Sequence, residues 1–346
     1  MNSANKIVAG WLVLVCVVIF AMIVVGGVTR LTHSGLSMVD WKPLMGVIPP
    51  LGEAQWQETF DAYKQYPEYQ KVNRGMSLDE FKGIFYWEYG HRVLGRSIGL
   101  VFFVPFAILW LLGKIEKSLL PKLVIALVLG GLQGLMGWYM VMSGLVDMPR
   151  VRHYRLAAHL MLALVILCYL AWIIFDLWNL EKIKVPHFLR YLSLTILGVA
   201  SLQILFGAFT AGLRAGLGFN TFPLMNGRLI SEAATTMTPM WLNFLQNGVM
   251  IQFVHRWLGI LLLLLVLLVF GIEVSRGVSR RLIAICGSLT MVTLVQVVLG
   301  VLTLINFVPI ALASIHQGVA CLVLLASLLL VYSVCVPARG DATGEV

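Results

Sequence analysis

The chain has 346 residues, 60% of them hydrophobic and only 12% charged, with a net charge of +9 and a mean hydropathy of +0.90. Soluble domains carry roughly a quarter charged residues, so a water-soluble fold could not cover this interior. The basic excess does not point to nucleic acid either, because the Lys and Arg residues sit between apolar runs rather than along one stripe.

A membrane span takes about 20 mostly apolar residues. In chain order, eight segments qualify: 7–28, 84–112, 122–142, 156–177, 190–212, 249–272, 281–304 and 310–335. The first run starts at Ile7 and lacks a convincing small-residue cleavage site, so it reads as a retained helix rather than a signal peptide. The runs are continuous rather than alternating, which excludes a β-barrel. The expected fold is an all-α polytopic membrane protein. A long polar segment, 29–83, follows the first span, and a mid-length one, 213–248, follows the fifth. Cys16, Cys168, Cys286, Cys321 and Cys335 all fall in apolar runs without a CxxC partner, so neither a disulfide framework nor a zinc site is expected.

The short links 113–121, 178–189 and 273–280 and both termini share one side. They carry Lys6, Lys114, Lys117, Lys122, Lys182, Lys184, Arg190, Arg276, Arg280, Arg281 and Arg339. The other side is about as basic, but long loops count for less in the positive-inside rule. Both termini are therefore expected in the cytoplasm.

The chain repeats itself. Gly26-x-x-Thr29 with Gly35-Leu36 recurs as Gly207-x-x-Thr210 with Gly216-Leu217, and Pro43-Leu44-Met45-Gly46 as Pro223-Leu224-Met225-Asn226-Gly227. His91-Arg92-x-x-Gly95 recurs as His255-Arg256-x-x-Gly259, Gln133-x-x-x-Gly137 as Gln296-x-x-x-Gly300, and His159 as His316. Ordered matches of this kind predict two pseudo-symmetric four-helix halves, 1–178 and 179–346, related about an axis along the membrane normal.

Of seven histidines, His33, His153 and His187 fall in loops and read as solvated residues. His91, His159, His255 and His316 lie one each in the second, fourth, sixth and eighth spans, near their outer ends. Ionisable residues inside a span are costly and usually face the bundle interior. Haem iron takes imidazoles from opposite sides, and helical bundles hold porphyrins between helices. A non-haem metal would usually recruit carboxylates or thiolates as well, although copper held by histidines stays open. Arg92, Arg96 and Arg256 lie beside these histidines and suit haem propionates, since Arg offers a bidentate fork; interfacial snorkelling competes for each one. Gly130, Gly131, Gly134 and Gly137 allow close approach of either a flat macrocycle or a helix. The halves differ at Glu88, which shares a helix face with His91 and is replaced by Gln252 in the second half. A carboxylate there suits acid–base or charge-stabilising work; an acid at a helix start, favoured by the dipole, is the competing reading.

At these residues the chain resembles the heme A synthase family. The matching features are Gly26-Gly27-x-Thr29-Arg30-Leu31-Thr32-x-Ser34-Gly35-Leu36-Ser37, Trp41-x-Pro43-x-x-Gly46-x-x-Pro49-Pro50 and Glu88-x-x-His91-Arg92-x-x-Gly95-Arg96, followed by His159, His255-Arg256 and His316. Segment 29–83 holds no cysteine, so the chain is similar to the cysteine-free proteobacterial and mitochondrial branch. The resemblance implies oxidation of a methyl group of haem O to the formyl group of haem A by successive hydroxylations. It implies substrate haem O between His91 and His159, haem b between His255 and His316, and Glu88 as the catalytic carboxylate. It also implies a bacterial inner-membrane location, a haem O-making farnesyltransferase and oxidase assembly factors as partners, and an electron donor that the sequence does not name. A homo-oligomer stays open; nucleic acid is not expected.

Two other classes compete. A di-haem b-type electron-transfer subunit linked to quinol would also need four histidines, but it would more often stack its haems across the membrane. A transporter with a parallel repeat would show a broken helix or a midplane charge pair, and neither is visible in the sequence.

Overall fold

The computed structural model describes residues 3–39, 48–145, 151–277 and 279–335. Trp41, the Pro43-Leu44-Met45-Gly46 run, Arg339 and the side chain of Cys335 lie outside the described residues. The helices are α1 (Ser3–Leu31), α2 (Glu53–Lys64), α3 (Pro67–Lys71), α4 (Leu78–Leu111), α5 (Leu120–Leu145), α6 (His153–Leu177), α7 (His187–Gly212), α8 (Asn243–Gln246), α9 (Gly248–Arg276), α10 (Arg280–Ile305) and α11 (Ile310–Cys335). Among the described residues, eight are long and apolar enough to cross a membrane: α1, α4, α5, α6, α7, α9, α10 and α11. They coincide with the eight segments expected from sequence, and the fold is an all-α polytopic membrane protein.

Helix α4 departs most from expectation, starting at Leu78 rather than 84. Ser77 accepts from the Glu80 N–H while the Glu80 carboxylate accepts from the Ser77 N–H. This reciprocal cap satisfies orphan donors of the first turn, so the helix begins in polar sequence. Elsewhere, Asn247 caps α9 through the Val249 N–H, and Ser279 caps α10 through the Leu282 N–H. Gly277 ends α9 at φ 59°, a left-handed conformation that glycine adopts without steric cost.

Segment 29–83 is not merely a polar loop. Trp56, Phe60 and Tyr63, on one face of α2, pack with Phe81 and Phe85 of α4 in a cluster whose members are each less than 8% exposed. Phe60 and Tyr63 stack on Phe81 with ring centres 4.9 and 5.1 Å apart. The Tyr63 hydroxyl donates to the Glu68 carboxylate and accepts from Asn73.

The chain divides into two compact units, Gly10–Leu167 and Cys168–Val346 together with Met1–Ala9. In the first, the Trp11 indole N–H donates to the Val101 carbonyl at 2.8 Å, holding α1 against α4. Helix α5 exposes Val124, Ile125, Val128, Leu132 and Leu135, the apolar surface expected of a lipid-facing helix. In the second unit, α7 packs on α9 and α11, and α10 packs on the same two helices, closing a four-helix ring. Its core contains Ile196, Ala200, Ile251, Leu262, Val266, Leu282 and Leu289.

The repeat extends to backbone detail. Thr29 and Thr210 each donate back to the carbonyl four residues earlier, Val25 and Phe206, at 2.8 Å. Two residues past the end of each helix, His33 (φ 56°) and Arg214 (φ 54°) take the left-handed conformation that turns the chain out of α1 and α7.

Candidate functional site

The four spanning histidines fall two in each unit. In the second unit, His255 of α9 and His316 of α11 face each other with ring centres 6.4 Å apart and planes at 88°. The His255 Nδ1–H donates to the Gln203 carbonyl at 3.1 Å, which fixes the tautomer and leaves the Nε2 lone pair available. The Gln296 amide lies 3.5 Å from His316 Nε2. In the first unit, the Gln133 amide lies 3.5 Å from His159 Nε2 and donates to the His159 carbonyl.

Each histidine lies over a glycine of a neighbouring helix. A Cβ built on Gly26 would stand 3.0 Å from His91, on Gly137 3.1 Å from His159, on Gly207 3.0 Å from His255, and on Gly300 2.8 Å from His316. A Cβ on Gly130, Gly131 or Gly134 would meet nothing within 4 Å. Of the four glycines of α5 singled out from sequence, only Gly137 therefore makes a side-chain contact.

Glu88 and Arg92 form a second feature. Glu88 is 2% exposed, and its Oε1 accepts from Arg92 Nη2 at 2.5 Å. Its Oε2 accepts from the Ser37 hydroxyl at 2.8 Å and the Met38 N–H at 2.7 Å. Arg92 Nη2 also donates to the Met38 carbonyl at 2.7 Å. The pair thus clamps the segment leaving α1. Because α4 starts at Leu78, Glu88 is well inside the helix, and the helix-start reading of this acid fails. The second unit repeats the clamp with different chemistry. Gln252 donates to the Gly218 carbonyl at 2.7 Å, and Arg256 donates to the carbonyls of Phe219 and Thr221. Phe219 stands where Met38 stands in the first copy.

From sequence, Glu88 shares a helix face with His91 and the arginines look toward a ligand. The structure joins Glu88 to Arg92 and Ser37 and engages Arg256 with loop carbonyls. Arg256 nevertheless keeps its buried Nε–H without an acceptor among the described residues. Arg96, one turn beyond Arg92 on α4, is partly buried. Ser37 and the Met38 backbone were missed as site groups. The i,i+4 spacing of Glu88 and Arg92 signalled their ion pair, but nothing in the spacing signalled the loop.

The donor set can be tested against a haem iron. An imidazole nitrogen about 2 Å from a metal on each side puts two opposed ring centres roughly 6 Å apart, and the His255–His316 pair has that spacing. Buried polar atoms are left unpaired rarely, yet His159 Nδ1, His316 Nδ1, Gln133 Oε1 and Gln296 Oε1 are all buried without a partner among the described residues. They recur at matching places beside both pairs. Among the described residues no three or more His, Cys, Asp or Glu side chains gather as a metal cage. Paired imidazoles, glycine-floored rings and a buried guanidinium N–H fit a bis-histidine haem.

The fold and site define a multi-pass helical membrane protein that sets its spanning histidines over glycines in both units and places a glutamine amide beside His159 and His316 alike. The chain belongs to the cytochrome oxidase assembly protein family, whose model matches residues 9–328. It is 46% identical over 322 residues to a heme A synthase of Parvibaculum lavamentivorans, covering 93% of this chain and 92% of the relative. It is 45% identical over 321 residues to a heme A synthase of Rhodospirillum centenum, covering 91% and 85%. A heme A synthase of Nitrosomonas eutropha is 45% identical over 334 residues, covering 93% and 92%.

Proposed function

We propose that this chain is a heme A synthase, an oxidoreductase that converts a methyl group of haem O to the formyl group of haem A by successive hydroxylations. Family membership and the names of its relatives support the activity. The observation that carries the residue-level reading is the His255–His316 pair, with ring centres 6.4 Å apart.

In this reading the second half, 179–346, holds haem b between His255 and His316, and the first half, 1–178, holds substrate haem O between His91 and His159. Bound haem b supplies one-electron transfer at its iron. The protein residues bind and orient. Gln203 keeps the His255 proton on Nδ1, so Nε2 serves as the ligand. The orphaned Nε–H of Arg256 offers a charge-assisted donor to a propionate, and Arg96 supplies positive charge beside the first-half site, where Arg92 is paired with Glu88. Glu88 is the catalytic carboxylate, held beside His91 by Arg92, Ser37 and Met38. The paired histidines would hold each haem through their ring nitrogens, and the group held by His255 and His316 would supply electron transfer.

The protein lies in the bacterial inner membrane with both termini in the cytoplasm and the histidines near the outer leaflet. Its partners are the haem O-making farnesyltransferase, oxidase assembly factors and an electron donor. Haem extraction from protein purified out of cells that make haem O, followed by mass analysis, tests the proposal. Haem B together with haem O or A is the expected result. Haem B alone overturns the assignment in favour of a di-haem electron-transfer subunit.

A further inference from the structure

Among the described glycines, four place a built Cβ against a histidine, and they meet the four spanning histidines one to one. The other crowded glycines face Met22, Val308, Ala215, Gln203 or Phe270. Carbon atoms normally approach to about 3.5–4.0 Å, so at 2.8–3.1 Å a methyl group and the ring could not both keep their places. The four positions also correspond across the repeat: Gly26 with Gly207 on α1 and α7, and Gly137 with Gly300 on α5 and α10.

We propose that Gly26, Gly137, Gly207 and Gly300 are positioning residues that seat the four ligand imidazoles: the bare helix backbone at each glycine sets how far its ring stands from the opposite ligand. The proposal rests on the haem reading of the histidines and adds the residues that hold their distance.

The contacts share one pattern. At Gly137, Gly207 and Gly300 the nearest ring atom is Cε1, whereas at Gly26 it is His91 Nε2, with Cδ2 next at 3.5 Å. A half-turn of the His91 ring about Cβ–Cγ exchanges Nε2 with Cε1 and Cδ2 with Nδ1. It then reproduces the Gly207 contact, in which Cε1 lies at 3.0 Å and Nδ1 at 3.5 Å. In that orientation His91 turns Nε2 off the α1 backbone and frees it as a ligand. Backbone contact is a stiffer constraint than a hydrogen bond to a mobile side chain. Metal–ligand distances hold to about ±0.2 Å, less than the clearance a methyl group would demand.

The test is alanine substitution in the full-length protein, read by haem content and by the optical and paramagnetic signature of low-spin haem. Gly300→Ala, at the tightest seat, should lower haem b occupancy about 10–100-fold, the range seen when groups supporting metal ligands are lost. Gly207→Ala should act in the same direction and less strongly. Gly26→Ala and Gly137→Ala should deplete the first-half haem and spare haem b. Gly287→Ala, which meets Phe270 at 3.2 Å, is the control for crowding without a histidine and should keep both haems.

Misfolding is separated from loss of the seat by making Gly300→Ala in a His316→Ala background and measuring thermal unfolding. With the imidazole gone, the added methyl should cost little beyond His316→Ala alone. Equal destabilisation in both backgrounds, or unchanged haem content and spectra in Gly300→Ala and Gly207→Ala, overturns the proposal. If the unsubstituted protein carries no low-spin haem, the haem reading fails instead, and the unfolding comparison still decides whether Gly300 seats His316.

Discussion

Replacing Arg92 with leucine removes a guanidinium from a carboxylate that is almost fully enclosed. Side-chain exposure is 9% for Arg92 and 3% for Glu88, and their charged atoms lie 2.5 Å apart. Removing one partner of a buried ion pair costs about 3–5 kcal/mol, because the remaining charge is left uncompensated. Glu88 keeps the Ser37 hydroxyl and the Met38 N–H, so the lower figure applies. At about 1.4 kcal/mol per decade, about 3 kcal/mol lowers the folded-to-unfolded ratio by roughly 100-fold. Adding Glu88→Gln should recover much of the loss, since a neutral amide no longer needs a cation and its oxygen still accepts from Met38. Thermal unfolding of the purified wild type, both single variants and the double variant closes the cycle. A double variant no more stable than Arg92→Leu would refute the coupling. Haem A yield adds a second readout: if Glu88 carries chemistry, Glu88→Gln abolishes the product while haem b remains. Near wild-type yield would leave Glu88 as a loop anchor alone, the job Gln252 already does in the second copy.

Three other outcomes are expected. His255→Ala or His316→Ala should abolish the low-spin b-type spectrum, and a normal reduced α-band in both would remove these histidines from the iron. A reporter fused after residue 60 should read outside and one after residue 118 inside; the reverse puts the histidines near the cytoplasmic face. Burial, and then the Glu68 carboxylate, push the Tyr63 hydroxyl well above its ordinary value, which is near pH 10. The stability Tyr63 contributes is therefore present below about pH 10, where unfolded tyrosine is neutral, and is lost as pH rises further. Alkaline unfolding should consequently be flatter in Tyr63→Phe than in the wild type, and identical profiles would contradict the buried setting.

The spans were legible because a bilayer demands uninterrupted apolar runs, a signal that survives without knowledge of neighbours. The extra turns of α4 were legible too, as Ser77-x-x-Glu80, but the polar composition of 78–83 hid them from a reading based on hydropathy. Trp56, Phe60 and Tyr63 carry helical spacing inside a segment whose charged residues dominate its average. The histidines could be singled out because imidazoles inside spans are costly, and their recurrence showed that they form a set. Their seats could not be singled out: Gly26 and Gly137 recur visibly, but which side chain each meets depends on helix packing. The same holds for Ser37 and Met38, about fifty residues from Glu88 along the chain. Their approach depends on how the chain leaves α1 after His33.

Helix α4 carries two loads along one rod. Phe81 and Phe85 root its first turns in the aromatic cluster with α2, and Glu88, His91 and Arg92 follow within the next two turns. Its 34 residues extend roughly 50 Å at 1.5 Å per residue, and the cluster sits at one end of that length. The aromatic cluster therefore acts as a bearing. A change in how α2 sits against Phe81 tilts or slides the rod, and the imidazole and carboxylate move with it. The segment between α1 and α4 thereby bears on how Glu88 and His91 are aimed. An insertion between Tyr63 and Asn73 would disturb the bearing by moving Glu68 and Asn73 off the Tyr63 hydroxyl and Tyr69 off Phe60, whereas one between Phe81 and Glu88 would rotate the site residues about the helix axis by 100° per residue.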